Sequence, residues 1–123
     1  MKPTHKAHPW HGIPIGENAP EIVTTFIEIV PSDTIKYEID KESGYLTIDR
    51  PQKYSNIVPA LYGFIPQTLG QDGDPLDILV ICSQAIQPLC LVEATVIGNM
   101  QMIDQGERDD KIIAVYCWCS CCY

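Results

Sequence analysis

The stretch Asp72-Gly73-Asp74-Pro75-Leu76-Asp77 sets three carboxylates within six residues, directly ahead of the apolar run ILVIC. Like charges that close resist ionising together unless something positive offsets them. A hard divalent ion such as Mg²⁺ would do so, taking one or two carboxylates and completing its shell with water and phosphate. Asp72 and Asp74 flank a glycine and can both turn toward one ion, while Pro75 limits how far they wander. Asp77 opens the apolar strand and can reach the same pocket from below. A second acidic loop, DQGERDD (104–110), adds Asp104 and Asp109. A solvated turn is the bland alternative, since Asp, Gly and Pro are ordinary turn formers. An EF-hand loop is a poor fit, because it needs glycine at its sixth position and Glu at its twelfth.

Other charges fall on strand faces. In IKYEID (35–40), Lys36, Glu38 and Asp40 alternate with Ile35, Tyr37 and Ile39. Arg50 closes the next strand, and Glu28 interrupts the apolar FIEIV. A lone acid in a strand is most simply an edge or solvent-face residue. Acids and bases recurring on one face of several strands also fit a polar pocket at a barrel mouth, suited to metal ions and their phosphates.

The elements that must position these groups are short strands. VTTFIEIV (23–30), IKYEID (35–40), YLTIDR (45–50), LDILVIC (76–82) and KIIAVYC (111–117) read as strands by alternation and β-branched content. CLVEATVIGNMQMI (90–103) reads as strand broken at Gly98, residues 51–71 as a long loop with short extended pieces, and 104–110 as a charged loop. No amphipathic helix, repeat or linker is visible. Frequent turns between short strands suggest a small barrel or sandwich.

A chain of 123 residues supports one modest core, and 46% hydrophobic content is not that of a disordered protein. The net charge of −8 argues against a nucleic-acid partner, which needs a basic surface. No signal region or bilayer-length apolar stretch is present, so no membrane partner and a cytoplasmic location are expected. Cys82 and Cys90 read as small buried hydrophobes, whereas Cys117, Cys119, Cys121 and Cys122 crowd the last seven residues, unlike a disulfide scaffold. His5, His8 and His11 lie in an irregular arm where Pro9 and Gly12 oppose a helix, so a loop or packing role is expected of them. Trp10 is a candidate plug against the barrel.

IKYEIDKESGYLTIDR, LYGFIPQTL, DGDPLDILV and DQGERDDKIIAV together resemble the family I soluble inorganic pyrophosphatases, in one register from about Phe26 to Val115. DGDPLDI (72–78) matches the family signature throughout. The resemblance implies a mainly β fold, a small closed OB-type β-barrel, and Mg²⁺-dependent hydrolysis of inorganic diphosphate to two phosphates. It implies metal ligation by Asp72, Asp74, Asp77, Asp104 and Asp109. Asp74 would help deprotonate the attacking water, and Glu28 would hold metal or water in place. Glu38 would line the pocket, Lys36, Arg50 and Lys111 would bind phosphate, and Tyr62 would be an active-site tyrosine. Nucleic-acid binding, common for OB barrels, is opposed by the charge.

The resemblance stops after KIIAV, where YCWCSCCY replaces a stretch that in the family supplies a Tyr-Lys pair and a helix covering the barrel. A thiolate metal site or a redox tail fits that spacing poorly. Out-of-frame translation after Val115 explains the abrupt change more simply. The expected organisation is an arm (1–22), a pyrophosphatase-like barrel domain (23–116) lacking the family's C-terminal helices, and an aberrant tail (117–123). A truncated, weakly active or inactive metal-binding remnant is the alternative function. A homo-oligomer is an expectation only for an intact chain.

Overall fold

A computed structural model describes residues 7–33, 35–51 and 60–116, but not the side chains of Arg50, Pro51 and Asp104. Among the described residues the regular structure is all strand: β1 (Ile22–Ile29), β2 (Ile35–Ile39), β3 (Leu46–Pro51), β4 (Leu61–Phe64), β5 (Asp77–Ile81), β6 (Leu91–Met100), β7 (Ile103–Asp104), β8 (Glu107–Arg108) and β9 (Lys111–Val115). Accordingly, no described helix is long and apolar enough to cross a membrane.

β1, β4, β5, β9 and β6 close into a barrel in that order, leaving no free sheet edge. All pairings in it are antiparallel except β5 with β9. Alternating residues turn inward, so Val23, Ile27, Leu61, Ile78, Val80, Val92, Ala94 and Ala114 form the core. β2 and β3 make a separate hairpin beside β1. A second cluster, Trp10, Phe26, Ile39 and Phe64, fastens that hairpin and the N-terminal arm to the barrel. The Phe26 and Phe64 rings lie 5.3 Å apart and tilted, and Trp10 is buried, the plug expected of it.

Two bulges reshape the barrel. On β1, Ile27 pairs with Gly63 but Ile29 with Tyr62, so Glu28 is the extra residue. On β6, the register shifts between Val96 and Gly98, and Ile97 is left exposed. The strand runs on through Gly98, where a break was expected, because a bulge absorbs the irregularity without ending the pairing.

Other expectations also give way. Of the short extended pieces expected within the loop 51–71, one is the strand β4, which joins β1 to β5 in the barrel. The charged loop is a hairpin of β7 and β8, turned at Gln105 and Gly106, whose φ of 52° and 81° match a two-residue primed turn. Cys90 is exposed rather than buried, while Cys82 is half-buried against the core. The tail cysteines 117, 119, 121 and 122, and His5, lie outside the described residues.

Candidate active site

A cleft of about 250 Å³ opens at one end of the barrel. Glu28, Lys36, Glu38, Tyr62, Asp72, Asp74, Asp77, Asp109 and Lys111 all line it, so the fold gathers nine of the eleven residues singled out from the sequence. Arg50 pairs with Lys36 across the hairpin, and Asp104 lies on β7, but their side chains are outside the described set.

The strand register explains much of the gathering. β5 and β9 run parallel with Ile78 beside Ile112, which brings Asp77 and Lys111 level at the mouth. The Lys111 ammonium donates to Asp77 Oδ2 at 2.7 Å, Asp109 Oδ1 at 3.0 Å and the Tyr62 hydroxyl at 3.0 Å. Three donors meet three acceptors, so this buried lysine is fully engaged. Burial by itself would lower its pKa, but the bonds to Asp77 and Tyr62 prevail and hold it above the ordinary value. Burial, aided by Asp77, pushes the Tyr62 phenol up, so it stays protonated at neutral pH.

The DGDPLD segment is a tight turn. The Gly70 amide donates to the Asp74 carbonyl at 2.7 Å, and the Asp74 amide to Asp72 Oδ1 at 3.0 Å. Gly73 has φ of 85°, the left-handed conformation that glycine adopts without strain. Asp74 Oδ1 is closed off from solvent and takes no aligned hydrogen bond. Lys41 Nζ lies 2.5 Å from it, an ion pair by distance, so this oxygen has a countercharge. Across the cleft, Lys36 Nζ is 3.2 Å from Asp49 Oδ2.

Glu28 is buried, not at an edge or on the solvent face. The β1 bulge breaks the alternation that would have sent it outward, and the Ile39 amide donates to its Oε2 at 2.9 Å. Desolvation pushes its pKa up to about 8; the Ile39 bond opposes this, and nearby Asp77 and Glu38 add to it. A carboxyl with a raised folded pKa favours the folded state at low pH and loses that advantage as pH rises from about 4.5 to about 8. Glu28→Gln keeps a carbonyl for Ile39 and removes the charge. In metal-free buffer the melting-temperature advantage of Glu28→Gln over the parent should therefore be near zero at pH 4.5 and grow up to pH 8. At the upper end it should correspond to a stability difference on the order of 3–5 kcal/mol. A gap that stays flat with pH would contradict the raised pKa.

Lys41, Tyr37, Glu107 and Arg108 also line the cleft but were not picked out from the sequence. Arg108 abuts Asp109 in GERDD and was legible as a neighbour; Lys41 meets Asp74 only through the fold.

Among the described residues, no three acidic, His or Cys side chains are drawn together closely enough to cage an ion as they stand. The donors nonetheless suit a hard divalent cation. They are carboxylate oxygens, one of them shut off from solvent with a cation, the Lys41 ammonium, already against it, and Mg²⁺ needs only one or two such ligands.

A closed five-stranded barrel with an acid-lined, lysine-bearing cleft at its mouth defines a protein of the OB-barrel class. The chain belongs to the inorganic pyrophosphatase family, whose profile matches residues 25–119, four residues past Val115. It is 49% identical over 110 residues to soluble inorganic pyrophosphatase 2 of Chlamydomonas reinhardtii, covering 89% of this chain and 57% of that one. Against soluble inorganic pyrophosphatase 1 of Arabidopsis thaliana it is 50% identical over 109 residues, covering 89% and 51%. The crystal structure of inorganic pyrophosphatase from Thermus thermophilus superposes with a TM-score of 0.81 at 38% identity, covering 89% of this chain and 62% of that one. The chain thus spans about half the length of the curated relatives it matches.

Proposed function

We propose that the barrel domain, residues 23–116, preceded by the arm 1–22, hydrolyses inorganic diphosphate to two phosphates with Mg²⁺. The observation that carries this reading is the convergence of Asp72, Asp74, Asp77 and Asp109 with Lys36 in one cleft of a pyrophosphatase-family chain. Those aspartates, with Asp104, would hold the cation. When bound, Mg²⁺ supplies Lewis acidity, polarising phosphoryl oxygens and lowering the pKa of water.

The chain's own groups do the rest. Asp74, which lines the cleft with its Oδ1 against the Lys41 ammonium, accepts the proton of the attacking water through its carboxylate. Lys36 and Arg50, on paired strands, bind the phosphate oxygens, Arg50 through its planar fork. Lys111 acts at one remove: saturated by Asp77, Asp109 and Tyr62, it sets the orientation of both carboxylates. Glu28, protonated below about pH 8 in the unloaded site, keeps one oxygen on the Ile39 amide and the other toward the cleft. Glu38 adds negative potential at the rim. Like the relatives whose names call them soluble, the chain would work in the aqueous phase, with the cytoplasm as its compartment.

A metal-binding remnant without turnover is the second reading. It is favoured by the engagement of two of these groups within the cleft, Asp74 by Lys41 and Lys36 by Asp49. One preparation separates the two. Calorimetry with Mg²⁺ and phosphate release from diphosphate, measured side by side, should both respond if the first reading holds. Binding without release selects the remnant, and neither response removes both.

A further inference from the structure

The stretch His8-Pro9-Trp10 takes no part in this chemistry, yet it touches both rims of the cleft. On one side, His8 Nε2 lies 2.9 Å from the carbonyl of Lys41, in the turn between β2 and β3. The amides of Trp10 and His11 both aim at His8 Nδ1, at 3.1 and 3.3 Å. Two donors at Nδ1 leave the proton on Nε2, so the imidazole donates to the Lys41 carbonyl. The seat is tight: a Cβ on Gly44 would stand 2.9 Å from His8 Cδ2 and 2.9 Å from Pro9 Cδ.

On the other side, the Trp10 indole N–H donates to the Thr68 carbonyl at 2.8 Å, and the Gln67 amide donates to the Trp10 carbonyl at 2.8 Å. Thr68 Oγ1 then accepts the Leu76 amide at 3.0 Å, inside the segment bearing Asp72 and Asp74. The two rims meet where Lys41 lies against Asp74. Those side chains are 54% and 39% exposed, and exposed pairs of long side chains hold themselves in place only weakly. The hairpin is fastened at Ile39 and closed by its own backbone bonds, and at Lys41 itself the backbone carbonyl is held by His8.

We propose that His8 is a positioning residue for the cleft: its Nε2–H bond holds the β2–β3 turn where the Lys41 ammonium rests on Asp74. As a consequence, which rests on the proposed function, a divalent cation arriving at Asp74 must displace that resident ammonium.

Two substitutions separate the roles of the imidazole. Asn keeps an acceptor near the Nδ1 position and loses the donor, whereas Gln keeps a donor near Nε2 and loses the acceptor. Competitive acetylation of the metal-free full chain, read by mass spectrometry, compares Lys41 labelling in folded and urea-unfolded protein. His8→Asn should raise folded-state labelling ~3–5-fold, the equivalent of one net hydrogen bond. His8→Gln should stay at the parent value. Unchanged labelling in His8→Asn, or equal rises in both variants, overturns the assignment.

Calorimetry then tests the consequence. Lys41→Met should tighten Mg²⁺ binding ~3–5-fold, His8→Asn should tighten it as well, and the double variant should match Lys41→Met alone. Additive effects would show that His8 does not act through Lys41. The expected labelling pattern in a chain that takes up no Mg²⁺ would support the role of His8 while removing the metal reading.

Discussion

Asp74→Asn should lower Mg²⁺-dependent phosphate release from diphosphate by ~10²–10⁴-fold, the range for losing a positioned general base. Affinity for Mg²⁺ should weaken by about tenfold or more, because Asn offers a single neutral oxygen where a carboxylate stood. The fold should be unaffected. Asn is nearly isosteric, and the turn is held by the main chain of residue 74, through Gly70 N to Asp74 O and Asp74 N to Asp72 Oδ1. The ion pair lost with Lys41 is largely solvent-exposed and screened, so its loss should not register in the fold. An unchanged melting temperature with turnover and Mg²⁺ affinity both at parental values would eliminate Asp74 from the chemistry.

Gly63→Ala should unfold the barrel or leave it molten. Gly63 pairs with Ile27 across β1 and β4, and a Cβ there would stand 1.9 Å from the Phe26 carbonyl oxygen and 3.1 Å from Ile27 Cα. Both are backbone atoms, so no side chain can swing aside. Relief requires β1 and β4 to part beside the Glu28 bulge, which opens the barrel. The loss should exceed about 4 kcal/mol, a large share of the ~5–15 kcal/mol that holds a domain together. Gly98→Ala is the internal control, since nothing lies within 4 Å of its Cβ position. It should fall within about 0.5 kcal/mol of the parent. Urea titrations of the two variants read the contrast, and similar midpoints would refute the close-approach argument.

Strand positions were legible where short apolar, β-branched runs or alternation stood between turn signals. β2, β5 and β9 fall where IKYEID, LDILVIC and KIIAVYC were expected. β4 was not legible, since LYGF is short and contains the glycine its partner strand requires. Glu28 was misjudged by pattern alone for a related reason. A bulge inserts a residue on one strand only, and a period-2 reading then assigns the wrong face. The DGDPLD cluster, by contrast, was legible as an acidic turn from composition, since three carboxylates in six residues are a local fact.

The amino-acid sequence by itself determined the family, the strand content and the inventory of acids and bases that could serve a cation and a phosphate. Those are properties of local pattern and motif. Only the tertiary structure decided which groups are free to act. Lys111 proved to be saturated between Asp77, Asp109 and Tyr62, Lys41 proved to be the countercharge of Asp74, and His8 proved to be tied to the turn that presents it. Each of these contacts except Lys111 with Asp109 joins residues more than thirty positions apart; those of Lys111 depend on strand register in the barrel, and those of Lys41 and His8 on how the hairpin and arm pack beside it, which no local spacing encodes.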